Sequence, residues 1–205
     1  MASTGGIVVR TATRADLPRI TAVLGRAFQR DPLMAWMLPD DRRRRRQLPR
    51  FFALNVRDEH FRLGSLEVAE QNSVIQGANL HAGEGTSLGA ALPRELFLRL
   101  RLARIAGRRA GEVLKALELL EAARPSDTHW YARFLGADPD RTAKGVGARL
   151  LRSVVNQCDA KGLPLYFETS NPEMVKHCER LGCEVRGNVS IPDGPELATL
   201  WREPR

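Results

Sequence analysis

Long apolar runs are missing from this chain, and their absence removes one class of protein. No stretch approaches the roughly 18 consecutive apolar residues of a membrane-spanning helix. The opening Met1-Ala2-Ser3-Thr4-Gly5-Gly6 has no apolar core of a secretory leader. The expectation is a cytoplasmic protein that does not enter a membrane. Cysteine is also scarce: Cys158, Cys178 and Cys183 are an odd number without CxxC spacing, and the nearby His177 does not complete a ligand set. A zinc site is therefore not indicated, and each cysteine falls where a small, reduced, apolar side chain packs. The common nucleotide loops are absent as well. Lys144-Gly145-Val146-Gly147 fits neither the GxxxxGKS/T loop nor the GxGxxG fingerprint. No internal repeat or low-complexity linker interrupts the 205 residues. That length supports one well-buried core, so a single domain over residues 1–205 is expected.

What is present is globular in proportion, with 43% apolar and 27% charged residues. The formal net charge of +8 comes from arginine, concentrated at Arg42 to Arg46 and among Arg94, Arg99, Arg101, Arg104, Arg108 and Arg109. Such an excess raises nucleic acid as a partner. Against it, the arginine run has no interleaved aromatics, acidic residues are well distributed, and no DNA- or RNA-recognition motif occurs. An anionic cofactor accounts for the charge equally well.

The stretch from His129 to Leu151 organises the rest. Trp130 to Ala137 reads as a strand that meets the turn-forming Asp138-Pro139-Asp140. Beyond the turn, Val146, Leu150, Leu151, Val154, Val155 and Cys158 recur with the spacing of one helical face, predicting a helix over 144–160 that begins at its glycines. A helix start exposes N–H groups without intrahelical partners and carries the positive end of the peptide dipole, so it suits a phosphate or pyrophosphate.

Around this stretch, Ile7 to Ala12 predicts a first strand and Thr13-Arg14-Ala15-Asp16 a capping box opening a helix. Residues 32–38 form a short apolar piece. Residues 41–61 read as a helix that Pro49 breaks or restarts. Residues 65–70 and 73–80 predict a hairpin, Gly83, Gly85 and Gly89 a loop, and 93–105 with 111–123 two helices inserted beside the sheet, together about 93–123. Strand 163–169, helix 172–181 and strands 183–191 and 196–201 follow. Strand alternating with helix predicts an α/β (α+β) fold, a mixed sheet with helices on its faces.

Three segments in order, VVRTATRADLPRITAVLGRAFQRDP, HWYARFLGADPDRTAKGVGARLL and LPLYFETSNPEMVKHCERLGCEV followed by PDGPE, resemble the GCN5-related N-acetyltransferases (GNAT), and within them the puromycin N-acetyltransferase-like branch. The resemblance implies a GNAT-like, mostly antiparallel central sheet, splayed between the strands ending at Ala137 and Thr169 to hold acyl-CoA. It implies an N-acetyltransferase that moves an acetyl group from acetyl-CoA to an amine of a small molecule, an antibiotic or another specialised metabolite. Pantetheine contacts fall on Leu135, Gly136 and Ala137. The pyrophosphate turn falls on Arg141, Thr142, Ala143, Lys144, Gly145, Val146 and Gly147, and a further cofactor position on Met174. The sequence departs from the family's pattern at Thr142 and Ala143, where Gln or Arg and then Gly are usual, at Met174, where Asn is usual, and at Cys178, which replaces the usual proton-donating Tyr.

Two catalytic candidates follow. Glu168, closing strand 163–169, is the expected general base acting through water, with a surface or helix-capping acid as its plainer reading. Cys178 stands where the proton donor would be, and the stripe Met174, Val175, Cys178, Leu181 equally describes a packing residue. Of Trp130 and Tyr131, only one faces the ligand opening. His81, Trp36 and Met37 are secondary pocket candidates. The alternative function is a non-catalytic acyl-CoA-binding protein with a degraded site. The expected partner is a small amine, with the chain a monomer or a homodimer.

Overall fold

The computed structural model describes residues 6–56, 66–82, 92–141 and 145–205. Seven strands form one sheet in the order β1-β2-β3-β4-β5-β7-β6. They are β1 (Val8–Thr11), β2 (Leu66–Gln71), β3 (Val74–Ala82), β4 (Trp130–Ala137), β5 (Leu165–Thr169), β6 (Glu184–Ser190) and β7 (Glu196–Arg202). Every pairing is antiparallel except β4 with β5. Helices α1 (Leu17–Ala27), α2 (Pro32–Met37), α3 (Asp41–Asn55), α4 (Leu92–Ala106) and α5 (Ala110–Ala122) gather on one face. Helices α6 (Val146–Lys161) and α7 (Pro172–Glu179) cover the other. No helix among the described residues is long and apolar enough to cross a membrane.

The strand period of two sorts the side chains between the layers. On β4 an extra residue at Arg133 shifts the alternation, so Phe134 meets the cluster of Phe28, Phe51 and Phe52 while Trp130, Leu135 and Ala137 face α6. Two glycines let helices close onto the sheet. A Cβ on Gly136 would lie 2.8 Å from Ala27 Cβ of α1, and one on Gly77 would lie 2.6 Å from Val146 Cγ1 of α6.

Several boundaries moved. Thr13 and Asp16 do form the capping box, but the Thr13 hydroxyl donates to Asp16 Oδ2 (2.8 Å) while Thr13 N–H donates to the same oxygen (2.8 Å). Asp16 also receives Arg10, and a 3-10 turn at Arg14–Asp16 precedes α1. The break expected at Pro49 does not occur: α3 is continuous through it, and the proline ring packs against Gly25 of α1, where a Cβ would lie 2.9 Å from Pro49 Cγ. Residues 57–61 of that predicted helix lie outside the described residues, as does the loop bearing Gly83, Gly85 and Gly89. The arginine run is partly internal structure. Arg44 is buried and donates to the carbonyls of Leu38 (2.6 Å), Gln29 (2.8 Å) and Pro39 (3.2 Å), satisfying chain ends that no helix bond reaches. Arg43 donates to Ile105 O across to α4.

Candidate active site

The site begins with two strands that part. β4 and β5 pair only at Trp130–Leu165 and Tyr131–Tyr166, after which β4 runs on to Ala137 along β3 and β5 runs to Thr169 along β7. Beyond Tyr131, β4 therefore has no strand partner on its β5 side among the described residues. The β3–β4 register also shifts between Leu80 and His81, whose partners are Phe134 and Ala132, so Arg133 is an extra residue in a bulge.

A cavity of about 770 Å³ passes through the split. Leu151 of α6 and Met174 and Cys178 of α7 line it from one face of the sheet. Phe28, the α2 residues Met34, Trp36 and Met37, and α5 residues including Leu114, Leu117 and Glu121 line it from the other. The helices predicted at 93–123 thus roof part of the opening as well as flanking the sheet.

Period two carries Tyr166 and Glu168 to the same side of β5, where they meet Tyr131 of β4. The Tyr131 and Tyr166 rings stack with centroids 6.0 Å apart, and the Arg124 guanidinium lies 4.3 Å over Tyr131. Arg124 pairs with Glu121 at 3.1 Å. Glu168 Oε1 is buried and accepts no hydrogen bond among the described residues. Burial raises the Glu168 carboxyl above its ordinary value, while Arg124 and the two tyrosine hydroxyls pull it back. Burial also raises both tyrosines, with Glu168 adding to the effect, so they remain protonated near neutrality. Asp31 is raised by burial too, although it caps α2 through Met34 N–H (3.0 Å) and receives Ser170 Oγ (3.3 Å).

The expected cofactor positions fall into three groups. Leu135, Met174 and Cys178 line the cavity. Gly136 and Ala137 lie at the end of β4, Gly136 packed under α1 and Ala137 beside Ile7, Val9 and Val146. Arg141 is exposed where the chain leaves β4, anchored by Asp138, which is buried and takes a bidentate contact from Arg26 (3.0 and 2.6 Å). Thr142, Ala143 and Lys144 lie outside the described residues. Gly145 caps α6 with φ 93°, a left-handed conformation that favours glycine. Among the described residues, a Cβ on Gly145 would meet nothing within 4 Å, and one on Gly147 only Leu135 Cδ2 at 4.0 Å. Val146 contributes only backbone here, since its side chain is buried against the sheet.

Cys178 is fully buried in the cluster that includes Leu151, Val155 and Phe167. Contact with Cys183 and burial raise its thiol well above the usual range, which makes it a poor acid. Trp130 is core beneath α6, leaving Tyr131 as the member of that pair in the cavity. His81 is neither a loop residue nor a pocket residue. It sits buried on β3 with its ring 5.0 Å from Trp130, and burial holds its pKa down to about 4. Sequence reasoning missed Asp31, Arg124 and Tyr166. The alternation Tyr166-x-Glu168 was a usable signal for the last of these, while nothing in the sequence joined Asp31 or Arg124 to Glu168.

No profile of a known protein family matches the sequence. Solved structures do match the fold. A Corynebacterium glutamicum protein described as histone acetyltransferase HPA2 and related acetyltransferase superposes with a TM-score of 0.74 at 23% identity, covering 99% of this chain and 98% of that one. An agmatine N-acetyltransferase gives 0.64 at 18% identity, covering 96% and 99%. Drosophila melanogaster polyamine N-acetyltransferase gives 0.64 at 18%, covering 97% and 100%. The chain has the fold of the GCN5-related N-acetyltransferases, a mixed and mostly antiparallel sheet opened between β4 and β5.

Proposed function

We propose that the protein is an acetyl-CoA-dependent N-acetyltransferase acting on a primary amine of a small molecule. The observation that carries this reading is the cavity through the strand split, with a buried carboxylate oxygen of Glu168 on its wall that has no hydrogen-bond partner among the described residues. The fold likeness to amine acetyltransferases supports it. The finer likeness to the puromycin acetyltransferase-like branch rests on the sequence motifs alone.

The residues present fit acyl-CoA. The unpaired edge of β4 at Leu135 to Ala137 takes the pantetheine amides, the α6 start at Gly145 to Gly147 with Arg141 takes the pyrophosphate, and Met174 borders the arm. When bound, acetyl-CoA supplies an acetyl group activated as a thioester, whose thiolate departs as the C–N bond forms. Glu168 receives the proton of the ammonium, directly or through one water, because a protonated amine has no lone pair with which to attack. Burial keeps the carboxylate basic enough for that task. A backbone N–H of β4 near the bulge, beside the parted β5 edge, donates to the developing oxyanion. The thiolate is proton-accepting but tolerable as a leaving group, since a thiol pKa is about 8.5; water supplies its proton in place of the family's tyrosine.

Thiol release measured with acetyl-CoA and a panel of amines tests this. Glu168→Gln is expected to lower kcat by at least about 100-fold. In the native chain the base is lost as pH falls through the Glu168 pKa, so the acidic limb of kcat/KM lies above the ordinary carboxylate value of about 4.3. The variant loses that limb. A second reading, acyl-CoA binding without turnover, is favoured by the inert setting of Cys178. Calorimetric binding of acetyl-CoA with no thiol release from any amine would establish it instead.

A further inference from the structure

Among the described residues that line the cavity, the acidic side chains other than Glu168 already receive donors. Glu118 is paired with Arg99 (3.0 Å) and Glu121 with Arg124 (3.1 Å). Asp31 is committed to Met34 N–H and to Ser170. Glu168 Oε1 is the lining carboxylate oxygen that is buried and accepts nothing among the described residues. Three arginines, Arg99, Arg124 and Arg133, also border the cavity. A second cation on the acceptor would have to compete with these existing contacts and sit among guanidinium groups. Elsewhere on the acceptor side the wall is apolar and aromatic, with Phe28, Met34, Trp36, Phe51, Leu114 and Leu117.

We propose that the acceptor is a monoamine whose single ammonium group is carried on a bulky aromatic or apolar body, and that diamines, polyamines and guanidino-amines are poor acceptors. This rests on the acetyltransferase reading. The ammonium sits at Glu168 and the body fills the space beneath α2 and α5. Each methylene or equivalent that leaves water for such a wall improves binding about fourfold, whereas a second charge moved from water into it is penalised.

The test compares 4-phenylbutylamine, hexylamine, 1,4-diaminobutane and agmatine on the intact chain, by thiol release at saturating acetyl-CoA. The expected order is phenylbutylamine, hexylamine, then the two dications, with kcat/KM separated by at least about 30-fold between first and last, mostly through KM. Leu117→Glu places a carboxylate on the partly exposed α5 wall. It is expected to raise kcat/KM for 1,4-diaminobutane about tenfold and to lower it for phenylbutylamine. Agmatine or diaminobutane equal to or better than phenylbutylamine in the native chain would overturn the proposal. If no amine is turned over, calorimetric titration of the same four amines into the CoA-saturated protein reads the same order. An aryl preference there upholds the acceptor class while the acetyltransferase reading fails, and a dication preference overturns it.

Discussion

Adding a single methyl group at Gly77 should loosen the first turn of α6 and, with it, the anion site. A Cβ there would stand 2.6 Å from Val146 Cγ1, 2.9 Å from Leu150 Cδ1 and 3.1 Å from the Gly136 carbonyl oxygen. Carbon atoms prefer separations of about 3.5–4.0 Å, so Val146 must recede by roughly 1 Å. The backbone oxygen of β4 cannot yield on the other side. Overpacking of this kind costs about 1–3 kcal/mol. For a chain of this size that lowers Tm by about 2–12 °C. Because Val146 is the first residue of α6, beside Gly145, the same displacement should weaken acetyl-CoA binding about 3- to 10-fold, while Glu168 and the acceptor wall remain in place. Gly111→Ala is the matched control. A Cβ at Gly111, in the first turn of α5, meets nothing within 4 Å, so alanine there should stabilise by about 0.5–1 kcal/mol. Thermal melting and calorimetric titration read both variants. Gly77→Ala melting at or above the native chain would refute the argument that this glycine exists to admit α6.

Arg44→Met should cost about 2–4 kcal/mol by leaving the carbonyls of Gln29, Leu38 and Pro39 without their donor, whereas Arg46→Ala, on the exposed face of the same run, should stay within about 0.5 kcal/mol in denaturant unfolding. Asp138→Asn should destabilise by about 1–3 kcal/mol, the lower end being favoured by the partial exposure of Arg26. Arg26 depresses the Asp138 pKa, so its stabilisation is present above about pH 3.9 and fades as pH falls through the lower folded value; melting curves between pH 3 and 7 should lose that component in the variant. Cys178→Ala should leave thiol release within about threefold of native and lower stability by about 1–2 kcal/mol, the signature of a packing residue. A loss of 100-fold in turnover with unchanged melting would instead mark the thiol as a proton donor.

The local parts of this protein are written locally. The β4 strand, the α6 stripe from Val146 to Cys158 and the capping box at Thr13 and Asp16 depend on neighbours within a few residues, and each forms nearly where the sequence predicts. Tyr166 and Glu168 share a face for the same reason. Pro49 shows the limit: α3 runs on through it, with its ring packed against Gly25, a contact distant in sequence. His81 reads as a pocket candidate in the sequence because nothing nearby indicates that it lies against Trp130.

The sequence by itself determined the order of strands and helices along the chain and the helix start at its glycines, through periodicity and turn chemistry, while the family resemblance implied a split between the strands ending at Ala137 and Thr169. Tertiary structure decided which charges are spoken for. Arg44 became a cap for chain carbonyls, Glu118 and Glu121 were matched to arginines, and Glu168 was left with a buried oxygen facing the cavity. Charge pairing depends on distance and desolvation between residues far apart in the chain, and only the folded sheet sets those two quantities.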